Sequence, residues 1–105
     1  MADIDFQNIS TVHNLLQPKP VTIASATTVA PTTFLSFISG TTAIATVTPP
    51  VTGAHMLCFI FTAATPVAFT TSGNIKLVAT HTQNMPMFLI YNPLDAKYYV
   101  GEVTT

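Results

Sequence analysis

The chain has 105 residues and a formal net charge of −1, with 7% of its residues charged and 49% apolar. This length suits one compact domain and excludes two. The cations Lys19, Lys76 and Lys97 are isolated from one another, so nucleic acid is excluded as a partner, and so is electrostatic docking on an anionic membrane.

Residues 1–19 are predicted to form an N-terminal arm that precedes the domain. Apolar side chains recur there every three or four residues, which fits a short helix, while the β-branched residues fit an extended arm nearly as well. Pro18 and Pro20 end the segment because they restrict the backbone and remove donors. The acidic start without an apolar region predicts synthesis in a cytoplasm without a secretion signal.

The apolar residues of the arm are the candidate interface of this chain. They have no obvious place in the domain that follows, so they could cover an edge strand or reach a neighbouring subunit. We predict that they pack on a partner chain, and the set is Phe6, Ile9, Val12, Leu15 and Leu16.

Residues 20–105 are predicted to form one domain of short strands. The first strands are 21–24, 33–38 and 42–48, and the last two are predicted to form a hairpin around Ser39 and Gly40. The run 55–62 is almost continuously apolar, which is typical of a strand that is buried on both faces. Its length is far below the ~20 residues of a membrane-spanning helix. The remaining strands are predicted at 67–70, 75–80, 87–91 and 97–103.

About seven to eight short strands at this spacing predict an all-β fold, a single antiparallel β-sandwich or jelly-roll-like domain. No helical period long enough for a βαβ crossover follows Pro20, which excludes a parallel α/β sheet. The low charge favours a homo-oligomer, with a trimer preferred, because faces that are shared between subunits need few solubilising groups.

No pattern in the sequence indicates a catalytic, cofactor or metal site. His13, His55 and His81 lack the close spacing of zinc ligands and are predicted to be unrelated surface or rim residues, although a trimer axis could gather one histidine from each chain. Cys58 is alone and is predicted to be a small core residue. The carboxylates form no acid–base pair, and Asp95 is predicted to form a turn. We therefore expect no enzyme activity.

Three tyrosines near the end of the chain allow two interpretations. Tyr91, Tyr98 and Tyr99 could form a platform for stacking on a sugar. Alternatively, they could be cross-strand pairs that close the last hairpin, and we favour this second interpretation.

Several threonine- and alanine-rich stretches carry a resemblance to a known class of domain. They are residues 21–33, 37–50, 70–75 and 91–99. Together they resemble a β-rich domain of tailed-bacteriophage virion proteins, which occurs in capsid-associated proteins and at the ends of fibre-like proteins. The resemblance covers about residues 20–100 of the printed sequence, and the first twenty residues lie outside it.

The resemblance implies a virion structural protein without enzymatic activity. A short version of such a domain suits a capsid decoration, or cement, protein on the capsid surface, with the major capsid protein as its partner. Many weak symmetric contacts would then act together. The alternative is a receptor- or glycan-binding module of a tail fibre or spike.

Overall fold

The structure is a computed structural model, and it describes residues 19–102. These residues form nine strands and no helix. The prediction of an all-β fold is therefore confirmed for this part of the chain. Residues 1–18 of the predicted arm, with its five interface residues, lie outside the described residues. The strands are β1 Val21–Ala24, β2 Thr28–Val29, β3 Leu35–Ser39, β4 Thr46–Val47, β5 His55–Phe61, β6 Ala68–Phe69, β7 Ala79–Thr80, β8 Pro86–Asn92 and β9 Lys97–Glu102.

The largest element is a mixed sheet of five strands in the order β1-β3-β5-β8-β9. Strands β1, β3 and β5 are parallel, whereas β5, β8 and β9 are antiparallel neighbours. The register aligns Leu57 with Leu89 and Leu89 with Val100 across the antiparallel half. Because side chains alternate between faces along a strand, these three residues share one face of the sheet.

The parallel strands contradict the predicted antiparallel topology. A parallel pair needs a connection that crosses back over the sheet, and this connection is usually a helix. Here the connections are loops that contain β2 and β4, and these two short strands pair with each other in parallel. The missing helical period excluded helical crossovers, but it did not exclude parallel strands joined by loops.

The core lies between one face of the five-stranded sheet and the short strands. Val29 of β2 and Val47 of β4 belong to the same buried cluster as the sheet residues. Strands β6 and β7 form a third small sheet, and an isolated bridge joins Ile44 to Phe69. The Phe69 ring stacks on Phe59 and meets Phe61 edge-on, at centroid distances of 6.4 and 5.7 Å. Aromatic burial of this kind supplies much of the stabilisation of a small core.

Two predicted strand elements differ from the structure. Residues 33–48 do not form a hairpin, because β3 lies in the large sheet and β4 in the small one. The predicted strand 75–80 is reduced to β7, and it is preceded by the exposed residues Leu77 and Val78. Both segments have the alternating sequence of a strand, but the strands that they were expected to pair with are paired with other segments.

Candidate interaction surface

The five-stranded sheet has an inner face, which carries the core, and an outer face, which is also apolar. The outer face is defined by the residues that alternate with core residues along β3, β5, β8 and β9. Register aligns them in rows across the sheet. They are Leu35, Phe37, Met56, Cys58, Ile60, Phe88, Ile90 and Tyr99.

Two neighbouring side chains of the outer face are exposed to solvent. Ile90 is 53% exposed and Met56 is 43% exposed. The aromatic side chains Phe37 and Phe88 are half-buried. Contiguous apolar surface of this kind is uncommon on a monomeric protein and marks an interaction site.

Cys58 lies at the centre of the outer face and is the most buried residue on it, with 5% exposure. Burial raises the pKa of its thiol, and this effect outweighs the opposing hydrogen bond from the backbone of Met87. Residue 55 lies three positions earlier in β5 and therefore points to the inner face. The prediction that Cys58 is a small core residue is confirmed in its burial, but the residue lies on the outer face and outside the core cluster.

A group of polar side chains borders the outer face on the β9 side. The Tyr99 hydroxyl donates to Asp95 Oδ2 at 2.6 Å, and Lys76 Nζ lies 3.7 Å from the same oxygen. The hydrogen bond from Tyr99 is the main reason why the pKa of Asp95 lies below its ordinary value. Asp95 also accepts the Lys97 backbone N–H, which confirms its predicted role in a turn. The outer face thus has an apolar centre and a polar rim on this side, as protein interfaces do.

Three further apolar side chains are exposed on loops. They are Leu77 at 57%, Val78 at 71% and Leu94 at 94%. The ion pair between Lys76 and Asp95 links the two loops that carry them. These residues lie outside the rows of the sheet.

The tyrosines form cross-strand contacts, as the favoured interpretation predicts. Tyr91 and Tyr98 are register partners on β8 and β9, with ring centroids 4.9 Å apart. Tyr98 is fully buried, and burial raises the pKa of its hydroxyl. The His55 ring stacks on Tyr91 at 5.0 Å, and its Nε2 lies 2.8 Å from the Tyr98 hydroxyl. A platform of three exposed tyrosine rings is therefore not formed.

His81 is buried, which corrects the prediction of a surface or rim residue. It is 4% exposed, and its ring stacks on Phe61 at a centroid distance of 4.5 Å. The Val67 backbone N–H donates to His81 Nδ1 at 2.7 Å. Nε2 therefore carries the proton and donates to the Ala63 carbonyl at 2.9 Å. The ring connects two backbone segments, which is a structural role.

Sequence reasoning placed the interface on the arm and missed the outer face. One signal was present, because the continuous apolar run of β5 predicts side chains that avoid water on both faces. The structure shows this burial for Leu57 and Phe59 on the inner face, whereas Met56 on the outer face is exposed.

Two further features are absent from residues 19–102. Within 19–102, no three side chains of histidine, cysteine, aspartate or glutamate come together in a way that could hold a metal ion. The same range has no helix of the length and hydropathy needed to cross a membrane.

Comparison with known proteins found no match, either to a family model, to a curated protein or to a solved structure.

Proposed function

We propose that this chain is a virion structural protein, a decoration protein that binds the outer surface of a capsid in many copies and stabilises it. The proposal starts from the resemblance of residues 20–100 to β-rich domains of tailed-bacteriophage virion proteins. It places the protein on the capsid surface, with the major capsid protein and further copies of itself as partners. It assigns the protein no enzymatic activity, cofactor or metal.

The observation that carries the proposal is the apolar outer face of the five-stranded sheet. Ile90 and Met56 are exposed there among half-buried aromatic residues. A chain with 7% charged residues has few groups to keep such a face soluble. Permanent contact with other chains resolves this conflict, because a covered face needs no charges. We also interpret the packing of the large sheet against the small ones as a β-sandwich.

The alternative is a receptor- or glycan-binding module of a tail fibre or spike, and it has less support. Sugar stacking needs an exposed aromatic ring, and Tyr98 is fully buried. The hydroxyl of Tyr99 is engaged by Asp95. Tyr91 is half-buried and stacked on His55, so little ring surface remains for a sugar.

The number of copies in a particle distinguishes the two functions. Quantitative mass spectrometry of purified virus particles measures the copy number of the chain relative to the major capsid protein. A decoration protein is expected at a fixed ratio close to the number of capsid lattice positions, and its loss should lower the temperature at which capsids rupture. A few copies in each particle would favour the fibre module, and absence from particles would refute both.

A further inference from the structure

We propose that the outer face of the five-stranded sheet is the docking site for the N-terminal arm of a neighbouring copy, so that copies of this chain associate by exchanging arms. This inference concerns the purified chain in solution. It goes beyond the virion role and does not depend on it.

The width of the outer face fits one helix. Five strands with spacings of about 4.8 Å span about 19 Å, which gives a face of a few hundred Å². A helix of 12 residues is about 18 Å long, so one helix matches the width of the sheet.

The arm has the sequence of such a helix. At 100° per residue, the five apolar side chains of residues 6–16 lie within one half of the helical circumference, which also contains Asn8 and His13, and the other half is entirely polar. Asp5 is a favourable N-cap for a helix that starts at Phe6. Ile4 and Ile9 then have the spacing of a hydrophobic staple. Pro18 ends the predicted helix, because a proline disfavours the helical conformation of the residue before it.

The chemistry of the two surfaces is complementary. Residues 6–17 contain no aspartate, glutamate, lysine or arginine. The outer face is likewise apolar in its rows on β3, β5 and β8. An apolar helix stripe can therefore be buried there without desolvating a charge, which would be costly.

The arm joins the sheet at β1, which is an edge strand. Register places Val21 level with Ser36 and therefore with Phe59, close to the end of β5. Pro18 and Pro20 favour an extended backbone, so four residues before Val21 cover about 12 Å at 3.1 Å each. Followed backwards along β1, that distance reaches the level of His55, where β5 begins. An arm that continues this extended path would leave its own sheet at the edge strand, from which the outer face of a neighbour is within reach.

The first test measures solution mass by size exclusion with light scattering over a range of concentrations. The full chain is expected to be a closed oligomer. Ile90→Glu places a charge on the outer face and should weaken association about a hundredfold or more. Leu77→Glu is the matched control, because Leu77 is 57% exposed against 53% for Ile90 but lies on a loop. It should leave the mass unchanged.

The arm is tested in the same way. Ile9→Glu lies on the apolar side of the predicted helix and should give monomers, whereas Thr11→Glu lies on the polar side and should not. Far-UV circular dichroism checks that each variant keeps its strands. A monomeric full chain overturns the proposal, and so does an oligomer that survives both Ile90→Glu and Ile9→Glu.

Disulfide trapping shows whether the arm docks on its own chain or on a neighbour. The chain has one cysteine, so Cys58→Ala gives a clean background for the pair Val12→Cys and Ile90→Cys. Arm exchange predicts a cross-linked species of twice the chain mass or more on a non-reducing gel. Oxidation only within one chain would overturn exchange. Because no capsid is involved, these results stand or fall separately from the proposed virion role.

Discussion

At the scale of single residues, Gly73 shows how closely the small strands approach the loops. A Cβ at this position would collide with the carbonyl of Ala45 and the hydroxyl of Thr46. The backbone at Ala45 and Thr46 is held in place, because the N–H groups of both residues donate to the Thr27 carbonyl. Glycine is therefore required for close approach between two backbones.

Replacement of this glycine should destabilise the fold. We expect Gly73→Ala to lower the free energy of unfolding by about 2 kcal/mol, because the backbone of β4 must move. The control is Gly101→Ala, where a Cβ meets nothing within 4 Å. It should be neutral or slightly stabilising. Urea unfolding followed by far-UV circular dichroism gives both values, and equal midpoints would contradict the close approach.

The hydrogen bond between Tyr99 and Asp95 makes a prediction about pH. The pKa of Asp95 is lowered in the folded chain, first by this bond. Ionised Asp95 therefore stabilises the folded chain above about pH 3.9, the pKa of aspartate in an unfolded chain. This contribution is lost as the pH falls through the lower pKa that Asp95 has in the folded chain. Tyr99→Phe should raise the pKa of Asp95 and reduce the loss of folding stability at low pH. Carboxyl carbon NMR titration measures the change, and Tyr91→Phe should leave Asp95 unaffected.

At the scale of elements, β4 is a strand completed by a side chain. The Asn74 amide accepts from the Val47 N–H at 2.8 Å and donates to the Val47 carbonyl at 2.7 Å. It thereby takes the place of a neighbouring strand. The backbone of Asn74 also accepts the Tyr98 N–H, so it joins β4 to β9. This connection explains how a strand of two residues is held in a fixed position.

Removal of the Asn74 amide should release β4. Asn74→Ala leaves both backbone groups of Val47 without that partner, and burial of unpaired groups should cost about 2–4 kcal/mol. Asn92→Ala is a suitable comparison, since the Asn92 side chain accepts one exposed N–H in a turn. It should cost less than 1 kcal/mol. Hydrogen exchange of the Val47 amide should accelerate in the first variant only, and unchanged protection would refute the role of Asn74.

At the scale of the whole molecule, the sequence predicted strands better than it predicted their partners. Strand β5 and the hairpin of β8 and β9 were predicted, because the continuous apolar run of β5 and the turn at Asn92 and Asp95 are visible in the sequence. The parallel pairing of β1, β3 and β5 depends on contacts between distant segments, which no local pattern encodes. For the same reason the outer face emerged only once the register was known.

These non-local pairings lead to a prediction about folding kinetics. Leu35 pairs with Cys58 and Met56 pairs with Ile90, so long loops must close before the sheet gains stability. We expect refolding in milliseconds to seconds, as for other proteins rich in distant contacts. Stopped-flow measurements of far-UV circular dichroism or of tyrosine fluorescence give the refolding rate. Tyrosine is the fluorescent probe because the chain has no tryptophan. Refolding in microseconds would contradict the register.

Arm exchange adds a second kinetic phase that separates folding from association. Sheet formation is unimolecular, so its rate should be independent of protein concentration, whereas docking of an arm on a neighbour should accelerate with concentration. Ile9→Glu should keep the first phase, because the five strands of the sheet are formed by residues between 21 and 102, and should lose the second. Thr11→Glu should keep both. If Ile9→Glu slows the first phase instead, the arm takes part in forming the sheet of its own chain, and exchange is excluded.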